Sequence, residues 1–350
     1  MYIIAIDSGT TNTRVRLVKA ENTTIVDQIK RQVGVRNTAI EGHNGKLKDA
    51  IITSVAELLE RNNLSSKDIA YMVASGMLTS PLGILELPHA LAPADIDALV
   101  SASVQKEFTE LQGIPCLFVP GVKSLAAGSK ESEAPSEVAV EQINQFDVMR
   151  GEEVEAFGLV QQHAPRGKGL IILPGSHTKY VSFSEQGRIE SSVSTLSGEM
   201  LQALSQETIL AASLGQPLLE NVEPDTLLAG FRQGIRLGLT RVLFHVRLLD
   251  LFADLSKNQR ANYFVGCLLA ADLQILKDML LRENPEWIMV GGSNPLREVF
   301  ITLLREGWQD LMGETANQLV VIEATDEQVD LCTAVGAIQV AEEYWSRKKP

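Results

Sequence analysis

Short apolar runs alternate with small polar turns at the start of the chain. Residues 2–6 are apolar and end at Asp7, residues 8–12 have the composition of a turn, and residues 14–18 alternate polar and apolar positions. Such alternation is typical of a strand that buries one face. Residues 24–29 have strand character again. The pattern therefore predicts that the chain opens as an antiparallel meander whose first turn is polar.

Helical and strand-like segments alternate after this meander. Residues 46–62 carry apolar positions at helical spacing, while residues 69–74 and 115–119 are apolar runs that end at Ser-Gly and Pro-Gly. Strands separated by helices are typical of an α/β layout with a largely parallel sheet, in which ligand-binding loops follow the strand ends. Residues 127–139 are small, polar and charged, so they predict a surface loop.

The strand, turn and strand layout recurs in the middle of the chain. Residues 170–173 are apolar, residues 174–179 form a Gly/Ser/Thr-rich turn, and residues 180–183 resume strand character. This order mirrors residues 2–18 in layout, though not in letters. It predicts a duplicated architecture with one polar hairpin in each half. Two unrelated hairpins remain an alternative on layout alone.

The last third of the chain is mostly helical by pattern. Residues 225–281 are helical by pattern, with a dense apolar series at 237–251, and strand-like runs follow at 287–290 and 319–322. Gly336 lies inside the terminal helical segment. Because glycine has a poor helix propensity, this position predicts a close contact with another helix.

Length and charge limit the kind of protein this can be. The chain has 350 residues, 45% of them hydrophobic and 21% charged, and its formal net charge is −13. At roughly 150 residues per domain, two domains with sizeable cores are expected. The acidic balance argues against a nucleic-acid partner or an anionic membrane surface, since both require basic protein surface.

The cysteines and the apolar runs indicate the compartment. Cys116, Cys267 and Cys332 are far apart and form no CxxC pair, so we expect buried free thiols in a reducing cytosol. No charge-free apolar run approaches the ~18 residues of a membrane helix. Asp7 interrupts the apolar start too early for a signal peptide. A cytoplasmic protein without a membrane partner is expected, and a homodimer is a possible assembly.

Three small-residue turns that follow apolar strands are the candidate phosphate sites. They lie at residues 8–12, 175–178 and 291–294. Backbone N–H groups in such turns can surround phosphate oxygens, and glycine lets a ligand approach closely. None of them matches the GxxxxGK[ST] or GxGxxG motifs. Asp7, beside the first turn, could hold a hydrated Mg²⁺, although a turn-capping role is the alternative.

Acidic residues near Arg150 are the candidates for a general base. Glu152 and Glu153 open a predicted helix, where acidic residues also favour the helix dipole, and Asp147 lies five residues before Glu152. Arg150 and Lys179 are the cations closest in sequence to these sites. An anionic substrate would need at least one such cation.

The combination of motifs resembles the sugar kinase/hsp70/actin superfamily. Its first phosphate motif, Asp-x-Gly-x-Thr/Ser between two strands, matches residues 7–14. Its second phosphate hairpin matches residues 173–179, and its adenosine motif, a strand followed by Gly-Gly, matches residues 288–294. Within that superfamily, residues 148–153 and 197–199 are similar to the 2-dehydro-3-deoxygalactonokinase family.

The resemblance implies a fold. It implies an α/β protein with two ribonuclease H-like (actin-like ATPase) domains flanking a nucleotide cleft. The N-terminal domain would comprise residues 1–165 plus 333–350 and bind the sugar acid and phosphate. The C-terminal domain would comprise residues 166–332 and bind the nucleotide. Two hinge helices, at 152–160 and 333–341, would cross at Gly336.

The resemblance also implies an activity. The reaction would be the ATP-dependent phosphorylation of the 6-hydroxyl of 2-dehydro-3-deoxy-D-galactonate, in galactose or galactonate catabolism, with Mg²⁺. The partners would be the sugar acid and ATP. A non-kinase ATP-binding regulator and a phosphoanhydride hydrolase of the same fold are the alternatives. The preference for the galacto or the gluco epimer is not readable from the sequence, because few contacts distinguish one hydroxyl's configuration.

Carried over by position, the resemblance assigns roles to individual residues. Asp7 would place the Mg²⁺ and Glu152 would be the catalytic base, with Glu153 and Asp147 still open. Pro174 stands where many members carry an acidic residue, so no metal role is expected for the second hairpin. The residues expected to contact ATP are Gly9, Thr10, Thr11, Asn12, Gly175, Ser176, Gly291, Gly292 and Ser293. The residues expected near the substrate are Arg14, Ser75, Gly76, Met77, Arg150 and Lys179.

Overall fold

A computed structural model describes residues 1–125, 140–313 and 319–348 of the chain. The predicted surface loop at 127–139 lies outside the described residues. The strands are β1 (Tyr2–Ser8), β2 (Thr13–Lys19), β3 (Thr24–Arg31), β4 (Ile69–Gly76), β5 (Ala90–Leu91), β6 (Val104–Lys106), β7 (Cys116–Phe118), β8 (Val122–Ser124), β9 (Asp147–Met149), β10 (Gly169–Leu173), β11 (Thr178–Phe183), β12 (Ile189–Thr195), β13 (Trp287–Val290) and β14 (Val320–Glu323). The helices are α1 (Val35–Glu41), α2 (Gly45–Arg61), α3 (Ile96–Ala102), α4 (Glu152–His163), α5 (Ser197–Glu207), α6 (Pro224–Leu237), α7 (Leu239–Phe252), α8 (Lys257–Glu283), α9 (Leu296–Glu306), α10 (Trp308–Met312) and α11 (Asp326–Ser346).

The chain divides into two compact units. Unit 1 comprises Met1–Pro165, Gln186–Ser192 and Asp326–Pro350, and unit 2 comprises Arg166–Glu185 and Val193–Thr325. The chain first passes from unit 1 to unit 2 after residue 165. The expected assignment of sugar-acid and nucleotide binding to two domains stays a prediction. The chain returns to unit 1 at residue 326, because α11 is one continuous helix from there, and Ile189 bridges Ala94 of unit 1.

Unit 1 is organised around a six-stranded sheet of order β3-β2-β1-β4-β7-β6. The strands β1, β2 and β3 form the predicted antiparallel meander, and β1 pairs in parallel with β4, which pairs in parallel with β7. The central strand β1 is buried at Ile3, Ile4, Ala5 and Ile6 alike. Burial at successive positions is typical of a strand covered on both faces. A small sheet of order β5-β8-β9 completes the unit.

Unit 2 contains a five-stranded sheet of order β12-β11-β10-β13-β14. The strand β10 pairs antiparallel with β11 and parallel with β13, which in turn pairs in parallel with β14. This is the order of the first five strands in unit 1, with β10 in the place of β1. The predicted duplication is therefore confirmed, and so is the α/β class with two domains. The long helix α8 lies in the core of the unit and buries most of its length.

The terminal helix α11 packs against α4 at two glycines. A Cβ on Gly336 would lie 1.9 Å from the carbonyl oxygen of Val154, and a Cβ on Gly158 would lie 1.9 Å from the carbonyl oxygen of Cys332. The two backbones can approach this closely only because neither position carries a side chain. The predicted helix crossing at Gly336 is confirmed, and Gly158 is its counterpart on α4.

Two expectations about the whole chain can be compared with the structure. Cys116, Cys267 and Cys332 are buried and form no disulfide, as expected. Over the ranges that the structure describes, no helix combines the length and the apolar character needed to cross a bilayer. The cytoplasmic location and the homodimer stay predictions.

Candidate active site

The start of α1 fixes the polar turn after β1 through backbone hydrogen bonds. The Gly9 N–H donates to the Asn12 carbonyl at 2.9 Å and closes the turn, while the Arg36 N–H donates to the Thr10 carbonyl at 2.9 Å. A Cβ on Gly34 would lie 2.5 Å from the Thr10 oxygen. Glycine at 34 therefore lets α1 approach the turn. Residues 9–11 remain exposed, so the side-chain hydroxyls of Thr10 and Thr11 are accessible to a ligand.

Asp7 is a half-buried residue near the end of β1 and lies close to two arginines of β2. Its side chain is 21% exposed, and Arg14 Nη1 lies 3.9 Å from Asp7 Oδ2. Burial raises the pKa of Asp7, while the charges of Arg16 and Arg14 lower it and that of Glu152 raises it further. A bound cation would favour the charged form of this carboxylate.

Two glycines bring the segments around residues 76 and 151 against Asp7. A Cβ on Gly76 would lie 2.6 Å from the Ser8 carbonyl oxygen and 3.0 Å from Asp7 Oδ1. A Cβ on Gly151 would lie 3.2 Å from the Cα of Gly76. Both residues have positive φ, 71° and 115°, which favours glycine. Unit 1 thus brings together the three separate segments that the sequence singled out.

The three base candidates lie in different surroundings. Glu152 is partly exposed, and its Oε2 accepts a hydrogen bond from the Arg150 N–H at 3.0 Å. Glu153 is fully buried, and both its oxygens accept from the Gly151 N–H at 3.0 and 2.8 Å. Asp147 Oδ2 accepts from Ser192 Oγ at 2.7 Å. Only Glu152 is both accessible and electrostatically coupled to Asp7.

The buried carboxyl of Glu153 has an altered pKa. Burial and the charge of Glu152 raise it to about 8, against the opposing effect of its backbone hydrogen bonds and of Arg150. At neutral pH this carboxyl is therefore mostly protonated, and it holds the Gly151 backbone rather than facing a ligand.

Arg150 uses its guanidinium within the protein. Nη1 donates to the Thr79 carbonyl at 2.7 Å and contacts Thr79 Oγ1 at 2.6 Å, while Nη2 donates to the Leu87 carbonyl at 3.1 Å. Nη2 also lies 3.0 Å from a ring nitrogen of His89. Burial, Arg150 and Lys123 lower the pKa of His89 to about 4, so its ring is neutral. Arg150 therefore connects segment 79–89 to the turn before Glu152. Its expected contact with the substrate stays a prediction.

The other residues expected near the substrate lie in different surroundings. Arg14 is 42% exposed, Ser75 is buried at the end of β4, and Met77 is half-buried in the 3₁₀ turn Met77–Thr79. Lys179 belongs to unit 2, where its buried side chain donates to Ser194 Oγ.

In unit 2, the polar turn between β10 and β11 is held by the start of α5. Leu173 and Lys179 are the last paired residues, so Gly175, Ser176 and the residue after them project as an exposed turn. The Glu199 N–H donates to the Ser176 carbonyl at 3.0 Å. A Cβ on Gly198 would lie 1.9 Å from the Gly175 carbonyl oxygen. The turn is therefore fixed by direct backbone contact.

The Gly-Gly loop after β13 lies beside that turn. The Gly291 N–H donates to the Ile172 carbonyl at 2.9 Å, and a Cβ on Gly292 would lie 2.7 Å from the Pro174 carbonyl oxygen. Gly292 has φ 70°, and its own carbonyl accepts from Arg297 Nη1 at 3.0 Å. Ser293 is exposed. The two predicted nucleotide loops of unit 2 therefore meet at the carboxyl ends of adjacent parallel strands, where ligands bind in open α/β sheets.

A cavity of about 350 Å³ lies next to both loops. Its volume is within the range of small-molecule sites. It is lined by Gly198, Leu201, Gln202, Ser205, Gln206, Gln216, Pro217, Leu218, Leu219, Val265, Pro295 and Leu296. The mixture of aliphatic side chains with amides and a hydroxyl suits a flat heterocycle with polar edges.

Sequence reasoning missed Arg16 and Glu155. Arg16 is 1% exposed, donates to Thr333 Oγ1 at 3.1 Å, and affects the pKa of Asp7 more than Arg14 does. Burial together with Glu152 and Asp7 raises the pKa of Glu155 to about 8. Arg16 could have been found, since it lies two residues after Arg14 on the same face of a strand.

The described ranges contain no group of three or more His, Cys, Asp or Glu side chains able to hold a metal ion by themselves. A metal at Asp7 would therefore need most of its ligands from elsewhere. Mg²⁺ often binds in this way, with one or two carboxylates completed by substrate phosphates and water. The residues present fit such a shared site.

Residues 7–320 match the family model of 2-keto-3-deoxy-galactonokinase. The chain belongs to this family. It is 24% identical over 291 residues to the 2-dehydro-3-deoxygalactonokinase of Escherichia coli (strain K12), covering 83% of this chain and 85% of that one. It is 26% identical over 184 residues to a probable 2-dehydro-3-deoxygalactonokinase of Rhizobium meliloti (strain 1021), covering 50% and 56%. The expected family is thereby confirmed.

A solved structure shows the same fold. A protein of Sinorhizobium meliloti named as a candidate 2-dehydro-3-deoxygalactonokinase superposes with a TM-score of 0.71 at 18% identity, covering 98% of this chain and 97% of that one. The duplicated α/β architecture is therefore that of a solved family relative. Fold similarity at this identity assigns no residue roles.

Proposed function

We propose that this chain transfers the γ-phosphoryl group of ATP to the 6-hydroxyl of 2-dehydro-3-deoxy-D-galactonate. The observation that carries the proposal is the family match over residues 7–320. The geometry of unit 1 supports it, because Asp7, Gly76 and Glu152 come from distant segments to one place. A phosphoryl-transfer site needs such a convergence, since its catalysis consists mostly of positioning and charge stabilisation.

In unit 1, Glu152 is proposed as the general base. Its carboxylate would accept the proton of the attacking hydroxyl, and the Arg150 N–H holds it in place. Thr10, Thr11 and Asn12 of the exposed turn would donate to the β- and γ-phosphates, and Gly9, which has open space beside it, would let them approach. Arg14, with the loop at residues 75–77, would face the sugar acid. The partial exposure of Glu152 supports its role over that of the buried Glu153.

In unit 2, the nucleotide is proposed to occupy the two adjoining loops and the cavity beside them. Gly175 and Ser176 would contact phosphate oxygens, while Gly291, Gly292 and Ser293 would lie against the adenosine. The cavity of about 350 Å³ would receive the base. The close packing of Gly292 on Pro174 supports a single site formed by both loops.

Mg²⁺ is proposed to bind with the ATP phosphates, and Asp7 is the residue that would hold it. When bound, it would neutralise phosphate charge and orient the transferred group. We expect Asp7→Asn to raise the half-saturating Mg²⁺ concentration by about tenfold or more. Unchanged Mg²⁺ dependence in this variant would remove Asp7 from the metal site.

A panel of 2-keto-3-deoxy sugar acids tests the activity. ADP release is measured with ATP and Mg²⁺, with each acid and without any. We expect release to depend on the acid and to be fastest with the galactonate epimer, and mass spectrometry to find a 6-phosphate. Release that is independent of every sugar acid would instead indicate a phosphoanhydride hydrolase and overturn the kinase proposal.

A further inference from the structure

A buried carboxylate in unit 2 has no part in the site described so far. Asp272 lies on α8 with only 7% of its surface exposed. Its Oδ2 accepts a hydrogen bond from the Tyr180 hydroxyl at 3.0 Å, and its carboxylate also hydrogen-bonds the Thr195 and Ser197 side chains. Three hydroxyl groups from two strands and one helix thus meet at a single carboxylate.

The hydroxyl network extends to the residue that ends the phosphate turn. Thr178 Oγ1 and Ser197 Oγ are 2.7 Å apart, and Thr195 Oγ1 lies 3.2 Å from the same Ser197 oxygen. An ionised Asp272 can only accept, so Ser197 donates to it and the Thr178 hydroxyl donates to Ser197. The carboxylate therefore sets the direction of the hydrogen bonds from Thr178 to Ser197 and from Ser197 to Asp272.

Ser197 connects this network to the turn itself. It is the first residue of α5, and the next two residues contact the turn directly, through the close approach of Gly198 to Gly175 and the Glu199 N–H bond to Ser176. Thr178 begins β11 immediately after the turn. Asp272 therefore reaches both the end of the turn and the helix start that supports it.

Burying a carboxylate at position 272 costs free energy. Leu269, Leu273 and Leu276 on the same helix are fully or almost fully buried, so an apolar residue would suit the surroundings. Burial raises the pKa of Asp272, while the hydrogen bonds of Thr195, Ser197 and Tyr180 lower it. Buried polar networks that are fully satisfied add rigidity and a defined geometry.

We propose that Asp272 is a positioning residue for ATP, which acts through Ser197 and Thr178 on the turn at Gly175 and Ser176. The inference rests on the proposed function only in that this turn contacts the phosphates. A loosened turn would lose phosphate contacts that are made in the ground state. The affinity for ATP should then fall, while the affinity for the sugar acid should not.

The first test replaces the carboxylate by an amide. Asp272→Asn keeps one acceptor oxygen and gains an NH₂ group that can only donate, so at least one hydroxyl must reverse or lose the bond that it donates to the carboxylate. We expect the KM for ATP to rise by about tenfold, with kcat and the KM for the sugar acid within about twofold of the wild type. Equal losses in all three constants would indicate a merely structural role and overturn the inference.

A matched control separates this effect from lost stability. The buried side chain of Trp287 donates from Nε1 a partly buried hydrogen bond to the Gly167 carbonyl at 3.1 Å, at the opposite ends of β10 and β13 from the loops. Trp287→Phe also removes a buried donor from unit 2. We expect it to lower the melting temperature without changing the KM for ATP. If Trp287→Phe raised the KM for ATP as much as Asp272→Asn does, the inference would be overturned.

Calorimetry of ATP binding keeps the inference separate from the proposed activity. It is measured on the full chain with ATP and without a sugar acid, so it remains informative even if no sugar acid is phosphorylated. If Asp272→Asn does not fold, Ser197→Ala keeps the carboxylate and breaks its link to Thr178. Weaker ATP binding by about tenfold supports the proposal, and wild-type affinity in the folded variant refutes it.

Discussion

The position of Glu152 distinguishes it from its acidic neighbours. Its carboxylate is partly exposed and coupled to Asp7, whereas Glu153 is fully buried against the Gly151 N–H. We expect Glu152→Gln to lower kcat by about 10²–10⁴-fold, because a positioned base contributes that much to proton transfer. ATP affinity, measured by calorimetry, should stay close to the wild-type value.

The two rival bases serve as controls for that variant. Asp147→Asn removes the charge of the group that accepts from the Ser192 hydroxyl but leaves an acceptor oxygen, and Glu153→Gln changes a carboxyl that faces the backbone. Both should retain turnover within about tenfold of the wild type, an effect typical of positioning losses rather than a lost base. If Glu152→Gln keeps near-normal turnover while one of these loses it, the base is the other residue.

Arg150 should act on the sugar acid through the segment that it anchors. A lysine has one ammonium group and cannot contact Thr79, Leu87 and His89 at once, as the guanidinium does. We expect Arg150→Lys to raise the KM for the sugar acid by about tenfold, with a smaller change for ATP. Hydrogen exchange over residues 79–89 should become faster.

A surface arginine provides the comparison for that substitution. Arg61 pairs with Asp27 at 2.9 Å and is 49% exposed, so Arg61→Lys makes the same chemical change outside the site. It should leave both KM values unchanged, since exposed ion pairs contribute little. If Arg150→Lys also leaves the KM for the sugar acid and the exchange rates unchanged, Arg150 does not position this segment.

At the scale of elements, the contact of α4 with α11 depends on two glycines. Gly336→Ala would place a methyl group 1.9 Å from the Val154 carbonyl oxygen, which is backbone and cannot move aside. The helices must then separate. We expect the free energy of unfolding in urea to fall by about 3 kcal/mol or more, since overpacking in a close contact is strongly destabilising.

The opposite outcome is expected at the first residue of α2. A Cβ on Gly45 would meet only the His43 side chain, at 3.1 Å, and this side chain can move. Because alanine is a better helix former than glycine, Gly45→Ala should be neutral or stabilising by up to ~1 kcal/mol. Equal destabilisation by Gly336→Ala and Gly45→Ala would mean that the contact of α4 with α11 does not require a glycine at position 336.

The elements that the sequence predicted are those with local signals. The apolar runs at 2–6 and 170–173 predict strands that lie within β1 and β10, and the helix predicted at 333–341 lies within the longer α11. The crossing follows from one glycine in a helical run. Short elements such as β5 and β9 have two or three residues, too few for a periodic pattern. They form because neighbouring strands pair with them.

A site residue could be predicted only where its role depends on residues close to it in the sequence. The turns after β1, β10 and β13 were found because glycine and hydroxyl residues follow apolar runs. The role of Arg150 could not be found, since its partners lie 61 to 71 residues away. Asp272 and Tyr180 are 92 residues apart, and no pattern in the sequence around either residue indicates their contact.

At the scale of the whole molecule, the net charge of −13 opposes binding of two anionic substrates. Cationic side chains at defined positions must therefore offset this repulsion locally. Arg14 and Arg16 lie close to Asp7, beside the turn proposed to bind phosphate, and burial of Arg16 strengthens its field because water screens it less. The acidic residues around them, Glu153 and Glu155, are held largely protonated at neutral pH, which reduces the negative charge near the site.

This protonation links folding to pH. Burial raises the pKa of Glu153 to about 8 from an ordinary value of 4.5, so the folded state binds a proton that the unfolded state releases between these two values. Stability therefore falls as pH rises from about 4.5 to about 8, and levels off above. One such group contributes at most about 1.4 kcal/mol per pH unit.

Glu153→Gln should flatten that dependence. A neutral amide resembles the protonated acid, so the variant and the wild type should have similar free energies of unfolding at pH 5. At pH 8.5 the variant should be the more stable of the two by roughly 1 kcal/mol or more, because the wild type then ionises a buried carboxyl. Part of the slope should remain, since Glu155 also has a pKa near 8.

Glu60→Gln, exposed on α2, removes a charge without burial and should shift the curve equally at both pH values. Parallel curves for Glu153→Gln and the wild type would show that folding does not hold a proton on Glu153.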